Sequence, residues 1–248
     1  MSMMYDELAY LEHVIATPEA YAKDSEIIVS AIRKTNPKAR TMLHLASGAG
    51  INDFHFKKHF QVTGLDLSLS MIREAKKLNP EITYHHGDMT AFSLKERFDV
   101  VVIPDAIMHI VKHDDLERIF ACADKHLNKP GILAIVYQPR ETYRDNNFVY
   151  SGKNDEYDVT VFENNHRLRV NLYEAVITYV IRHQGITKIH HDVYELGLFT
   201  TSDWEALYRR HGFATAVIPM NDIYDEYVQD GGTYPLNLHI GIRTKDKT

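Results

Sequence analysis

The residues best placed to do chemistry begin at a glycine-rich turn. Residues 42–46 (MLHLA) are mostly apolar and run straight into Ser47, Gly48, Ala49 and Gly50, the pattern of a buried parallel strand that ends in a tight turn poor in side chains. Glycine tolerates positive φ and, lacking Cβ, lets a phosphate, ribose or carboxylate reach the N–H groups at the start of the next helix. The same Gly-x-Gly also fits a plain strand-to-helix connection with no ligand, so the residues that follow must decide. Asp66 closes the next apolar run, sixteen positions after Gly50. That is close to the ~20-residue offset at which a carboxylate accepts hydrogen bonds from ribose hydroxyls; Asp66 could equally cap a helix starting near Ser68, and the two roles are compatible. A dinucleotide-binding turn would place its third glycine where this chain has Asp53, and a carboxylate opposes an approaching pyrophosphate. The pattern therefore suits an adenosine-like ligand with no phosphate to cradle.

A second set of residues could move protons. His109 follows an apolar strand-like run at 98–103, and its unperturbed pKa of about 6.5 suits proton removal near neutrality; a histidine simply hydrogen-bonded in its loop is the plainer reading. Asp105, four residues earlier, could orient a substrate amine. His109, His113 and Asp114 have a spacing that can bind metal on a helix, but no third ligand stands in a recognisable motif, so no metal is expected. The pairs His85–His86 and His190–His191 lie on strand-like segments, where neighbours face opposite ways and cannot chelate together. The single cysteine, Cys122, excludes an internal disulfide and a cysteine-rich zinc site.

These residues need a scaffold. With 248 residues, 44% apolar and 25% charged, the chain suits one α/β domain with one sizeable insertion. No apolar run approaches the ~20 residues of a membrane helix. The first residues, MSMMYDELAYLEH, lack the basic and apolar regions of a secretory signal, so a cytoplasmic location is expected. A net charge of −6 with no basic stripe argues against a nucleic-acid partner. Residues 3–34 read as two helices, the second opened by Thr17 and Pro18 and ended by Asn36–Pro37. Strand and helix then alternate: helix at 51–60, strand at 61–67, helix at 70–78, strand at 82–85, strand at 98–103, helix at 114–127 and strand at 132–137. This predicts a Rossmann-like, mostly parallel seven-stranded sheet with helices on both faces and ligands at the carboxyl ends of its strands. After Gln138 the rhythm changes to β-branched and aromatic alternation at 158–163, 167–182 and 187–198, an antiparallel insertion of about three strands. A helix at 201–211, capped by Thr201 or Ser202, and strands at 214–218 and 236–243 return the chain to the sheet. The expected organisation is a helical cover (1–36), a sheet domain (37–138 and 199–248) and a β insertion (139–198) acting as a roof.

Taken together, LHLASGAG, GLDLSLSMIREAK, HHGDMTAF, FDVVVIPDAIMHI and HLNKPGILAIV resemble the motif series of class I S-adenosylmethionine-dependent methyltransferases. The motifs stand in family order over about 100 residues. The insertion followed by YELGLFTTSDWEALYRRHGF resembles, more loosely, the small-molecule N-methyltransferases that dimethylate nucleotide-linked amino sugars. The resemblance implies S-adenosylmethionine as cofactor and S-adenosylhomocysteine as product. It implies that Ala46, Gly48 and Gly50 line the methionine portion, Asp66 holds the ribose, Leu67 and Met71 pack on the adenine, Asp88 and Met89 meet its edge, and Ile103 sits by the methyl donor. Tyr21 and Tyr10 fall where the sugar-methylating relatives place cofactor and substrate contacts. His44 stands where the family has an acidic residue that orders the turn and the cofactor's amino group, which puts affinity in question. The resulting expectation is methyl transfer to a small polar metabolite, at an amine nitrogen before a hydroxyl, with His109, Tyr10 and Asp105 as candidate catalytic residues. The alternatives are an O-methyltransferase, a cofactor-binding module without transfer activity, a nicotinamide oxidoreductase, which Asp53 disfavours, and an enzyme for RNA or protein, which the composition disfavours. The reading allows a homodimer.

Overall fold

The structure, a computed structural model, describes residues 3–243; the ends of the expected first and last segments, 1–2 and 244–248, lie outside it. A short 3-10 turn and one turn of helix, α1 (Glu12–Ile15), precede α2 (Ala22–Thr35). The first expected helix is thus mostly turns, and the second starts four residues past Pro18. Helix α2 buries Ile28, Val29, Ala31 and Ile32, a stripe at i, i+3, i+4 spacing. Asn36–Pro37 follows its end, as expected of a residue before proline.

The sheet domain follows in order as β1 (Thr41–Leu45), α3 (Ile51–Phe56), β2 (Gln61–Asp66), α4 (Leu69–Leu78), β3 (Thr83–His86), β4 (Phe98–Ile103), α5 (His113–His126) and β5 (Leu127–Tyr137). The insertion is β6 (Asn146–Lys153), β7 (Tyr157–Arg169), β8 (Leu172–His183) and β9 (Ile186–Gly197), and α6 (Thr201–Arg210), β10 (Ala214–Met220) and β11 (Leu236–Arg243) complete the chain. Seven strands pair in the order β10-β11-β5-β4-β1-β2-β3. All neighbours are parallel except β11, which runs antiparallel to both β5 and β10. Chain order reverses at β1, which pairs with both β2 and β4, and the crevice outside such a switch point is where α/β sheets bind ligands.

Alternation along the strands feeds two cores. Leu43, Leu45, Val101, Ile103, Leu133 and Ile135 face α5 and α6. Met42, Val100, Val102, Ile132 and Ala134 face α2 and α3. Helix α6 is held by a capping box in which Thr200 accepts from the Asp203 N–H at 3.0 Å and Asp203 accepts from the Thr200 N–H at 2.8 Å; the cap is Thr200, one residue before the expected position. The insertion has four antiparallel strands, not three. Strand β6 hid in a polar stretch whose residues follow no two-residue alternation. No helix among the described residues is long and apolar enough to cross a membrane.

His239, on β11, is completely buried with neither ring nitrogen hydrogen-bonded, and it stacks on Tyr208 at 4.2 Å between ring centroids. Burial pushes its pKa down to about 4. The unfolded chain, titrating near 6.5, then binds the proton first, so stability is lost as pH falls from about 6.5 towards about 4. His239→Leu should remove about 2 kcal/mol of the stability difference between pH 7 and pH 4.5, measured by urea unfolding of both proteins at each pH. An unchanged difference would mean that the imidazole is not desolvated in the folded state.

Candidate functional site

The turn after β1 is built on alternating left-handed backbone. Ala46, Gly48 and Gly50 have φ of 54°, 53° and 74°. A Cβ on Gly48 would meet nothing within 4 Å, so the backbone there faces open space. Gly50 is different: a Cβ would come within 2.7 Å of the Tyr84 hydroxyl, and Gly50 serves as the left-handed residue that opens α3. Asp66, at the end of β2, accepts the Gly48 N–H at 2.7 Å and the Ser68 N–H at 2.8 Å. It therefore pins the glycine turn to the next strand. The cap of α4 is Ser68, whose hydroxyl accepts the Met71 N–H at 3.1 Å, and not Asp66.

A cavity of about 540 Å³ opens at these strand ends and is walled by Ala46–Ala49, Asp66, Leu67, Asp88, Met89 and the segment Pro104–Ala106. Tyr21, Asp105 and His109 also line it. Leu67 is 55% exposed, an apolar face open to whatever fills the space. Asp88 is already engaged at one oxygen, accepting from the Thr90 N–H at 2.7 Å and the Thr90 hydroxyl at 2.8 Å. Four expected residues lie outside the lining. Gly50 is turned into the Tyr84–Asn79 contact, and Met71 packs against Ala9 and Ala49 beneath the turn. Ile103 is wholly buried in the sheet core, because β4 points it at α5 and leaves Pro104 and Asp105 at the edge. Tyr10 is 41% exposed and packs on Tyr157, 5.3 Å between ring centroids. Tyr5 and Glu12, brought together by the turns that precede α1, line the cavity in its place.

His44 and Asp53 form a pair. His44 Nδ1 lies 2.7 Å from Asp53 Oδ1, the Tyr84 hydroxyl donates to Asp53 Oδ2 at 2.9 Å, and His44 and Asp53 are 2% and 0% exposed. Asp53 therefore faces the interior and does not present its charge to a ligand, as the sequence pattern had implied. Among the described residues, His44 Nε2 and Ser47 Oγ are buried without partners, and both residues line the cavity. Unpaired buried polar atoms beside an open backbone cradle fit the polar amino-acid end of S-adenosylmethionine, and Asp66 with bare Leu67 and Met89 fits its adenosine end. The family's usual acid could not be restored alone here. His44→Asp would set two buried carboxylates side by side and should cost about 2–4 kcal/mol in urea unfolding, with Asp53→Asn in the same chain recovering most of it. A His44→Asp variant as stable as the parent would show that the pair carries no such coupling.

At the far end of the cavity, the Tyr5 hydroxyl lies 3.0 Å from His109 Nε2, and the rings of Tyr5 and Tyr194 pack on the imidazole at 5.5 Å. Surrounding protein lowers the His109 pKa from its ordinary value. Asp105 has φ of 50°, a left-handed conformation that costs a non-glycine residue about 1–3 kcal/mol and recurs at ligand sites. Burial, then the nearby Asp24 and Glu163 carboxylates, push Asp105 up to about 7, and burial alone does the same for Glu12. His113 packs on Phe199, away from His109, and among the described residues no three metal-ligating side chains converge.

A second cavity, of about 470 Å³, adjoins the first, and Tyr5, Glu12, Tyr21 and Asp105 line both. Its other walls come from the four-stranded sheet and the β10–β11 connection, with Tyr150, Glu163, Tyr179, Tyr194, Tyr224 and Tyr234 among them. From the end of β9, Tyr194 lines it. Tyr143 and Tyr173 are buried against each other at 4.9 Å, and Tyr157 stacks on His183.

Residues 42–131 match the model of a methyltransferase domain. The chain is 28% identical over 229 residues to dTDP-3-amino-3,4,6-trideoxy-alpha-D-glucopyranose N,N-dimethyltransferase of Streptomyces venezuelae, covering 90% of this chain and 91% of that protein. It is 27% identical over 207 residues, 80% of each chain, to dTDP-3-amino-3,6-dideoxy-alpha-D-glucopyranose N,N-dimethyltransferase of Streptomyces fradiae. In fold it is similar to the crystal structure of Streptomyces venezuelae DesVI, with a TM-score of 0.78, 23% identity and 96% of both chains covered. The matched domain and these relatives agree with the sheet order: the chain carries a methyltransferase domain at 42–131 and is an S-adenosylmethionine-dependent methyltransferase, similar to small-molecule N-methyltransferases of the amino-sugar type.

Proposed function

We propose that this enzyme methylates the amino group of an amino sugar, with the first cavity holding the cofactor and the second the acceptor. The observation that supports this reading is the shared wall: Tyr5, Glu12, Tyr21 and Asp105 line both the cavity at the strand ends and a second cavity rich in carboxylates and phenols. Bound S-adenosylmethionine supplies an activated methyl group, so the chain's own residues need only hold, align, dry and deprotonate. Asp66 would hold the ribose hydroxyls, Leu67, Asp88 and Met89 would hold the adenine, and the Ala46–Gly48 turn with His44 and Ser47 would take the amino-acid end. Asp105 and Glu12 hold the acceptor amine at the junction. His109, fixed by Tyr5, receives the proton that the amine gives up. The N-terminal segment and the four-stranded sheet serve as the roof, with the Met3 and Met4 N–H groups bonded to Asp192 at 3.0 and 2.9 Å. The enzyme acts in the cytoplasm, as a monomer or a homodimer, with a small molecule and not a nucleic acid as partner.

Calorimetry with S-adenosylmethionine and S-adenosylhomocysteine, followed by a mass-resolved assay over free and nucleotide-linked amino sugars, tests this. Micromolar cofactor binding and N-methylated product are expected. Cofactor binding with no product from any amine would overturn the acceptor assignment.

A further inference from the structure

The second cavity has walls of an unusual kind. Tyrosines reach it from the N-terminal segment, the four-stranded sheet and the β10–β11 connection, and their rings meet at angles instead of stacking. Tyr21 and Tyr234 are each inclined 63° to Tyr224, with ring centroids 6.3 Å apart. Tyr150 is inclined 65° to Tyr227 at 6.2 Å. Rings set at such angles wall a box, the arrangement that receives methylated ammonium groups through the negative faces of the aromatic systems.

The charge inside is one-sided. Glu12, Asp105 and Glu163 line the cavity. Among the described residues, Glu163 accepts only from the Asn165 amide at 2.7 Å, and Lys153, the cation of the lining, is paired with Asp158 at 3.6 Å. A buried carboxylate without a counter-charge is costly, and these acids are held towards their neutral forms by burial. What the cavity lacks is a cation that needs little water. A tertiary or quaternary ammonium fits that description, because its charge is spread over methyl groups that give up hydration cheaply and pack on phenol rings.

We propose that the second cavity is a cation cage that binds fully methylated ammonium groups in preference to neutral groups of the same shape, so that quaternary ammonium compounds occupy the acceptor site. This rests on the second cavity being the acceptor site, and it adds that the site holds an amine more firmly as methyl groups accumulate on it. Retention of a partly methylated acceptor for a second transfer is the functional consequence.

Choline and its neutral isostere 3,3-dimethylbutan-1-ol are the probes. Both are titrated into the full-length protein saturated with S-adenosylhomocysteine, followed by calorimetry and by ligand-observed NMR. Choline should bind at least tenfold more tightly than the isostere. Glu163→Gln and, separately, Tyr150→Leu should each weaken choline about tenfold while S-adenosylhomocysteine affinity stays within twofold, which also reports that the variants fold. Equal affinity for the two probes, no binding of choline, or choline affinity unmoved in both variants would overturn the cage. Failure here with amino-sugar methylation intact sinks the cage alone; choline binding without any amine methylation sinks the proposed acceptor and leaves the cage standing.

Discussion

Asp66→Ala should weaken S-adenosylhomocysteine binding at least a hundredfold, the largest effect expected of any change in the cofactor cavity. Asp66 does two jobs with one carboxylate. Its oxygens accept the Gly48 and Ser68 N–H groups at 2.7 and 2.8 Å, which fixes the glycine turn against the end of β2. Asp66 also lines the cofactor cavity, and on the proposed assignment its remaining lone pairs would accept both ribose hydroxyls. Burial raises its pKa while those backbone hydrogen bonds pull it back down, so the environment is one that gains when further donors arrive. A hydrogen bond to a charged group contributes about 1.5–3 kcal/mol, and losing two of them removes about 3 kcal/mol or more, a factor of at least a hundred. Asp66→Asn should fall between, because its amide keeps one acceptor but turns an N–H towards that of Gly48. Calorimetry checks both variants, with urea unfolding to separate affinity from lost stability. An alanine variant that binds within fivefold of the parent would remove Asp66 from the ribose site.

The sheet was legible in the sequence because parallel strands covered on both faces must be apolar throughout. FDVVVI at 98–103 became β4 with the same bounds, and the glycine turn, Asp66 and the edge residues Asp105 and His109 all follow from where such strands end. Legibility failed where position depends on distant contacts. Nothing local says that Tyr5 reaches His109 or that Asp192 ties down the first residues; those contacts join positions 104 and more than 180 residues apart. The same holds for Tyr224 and Tyr234, which lie in a connection with no periodicity and meet the cavity only after β10 and β11 have paired. The resemblance to the sugar-methylating relatives placed Tyr10 at the site, whereas the irregular backbone before α2 turned Tyr5 and Glu12 inward. His44 was recognisable as a departure from its family, but its partner was not. Asp53 was read as a negative charge facing the ligand, when α3 carries it into the interior beside His44 and Tyr84.

His109→Gln should lower kcat by about a hundredfold to a thousandfold while leaving S-adenosylhomocysteine affinity within threefold. The glutamine fills a similar space and keeps a polar atom near the Tyr5 hydroxyl, so the loss isolates proton acceptance from packing. The protein packed around the His109 ring, which is exposed at the cavity, lowers its pKa from the ordinary value, and the imidazole is neutral and able to accept a proton at pH 7. The activity of the parent should therefore fall on the acid side through a limb centred below pH 6.5, and that limb should vanish in the variant. An amine acceptor adds a limb of its own at higher pH, where it loses its proton, and this one should persist in both proteins because it belongs to the substrate. Tyr5→Phe provides the control for positioning: it removes the hydrogen bond to Nε2 but not the base, and should cost about tenfold with the acid limb retained. If the acid limb survives in His109→Gln, the proton goes elsewhere, and Asp105 and Glu12, the carboxylates already at the junction of the two cavities, are the groups left to take it.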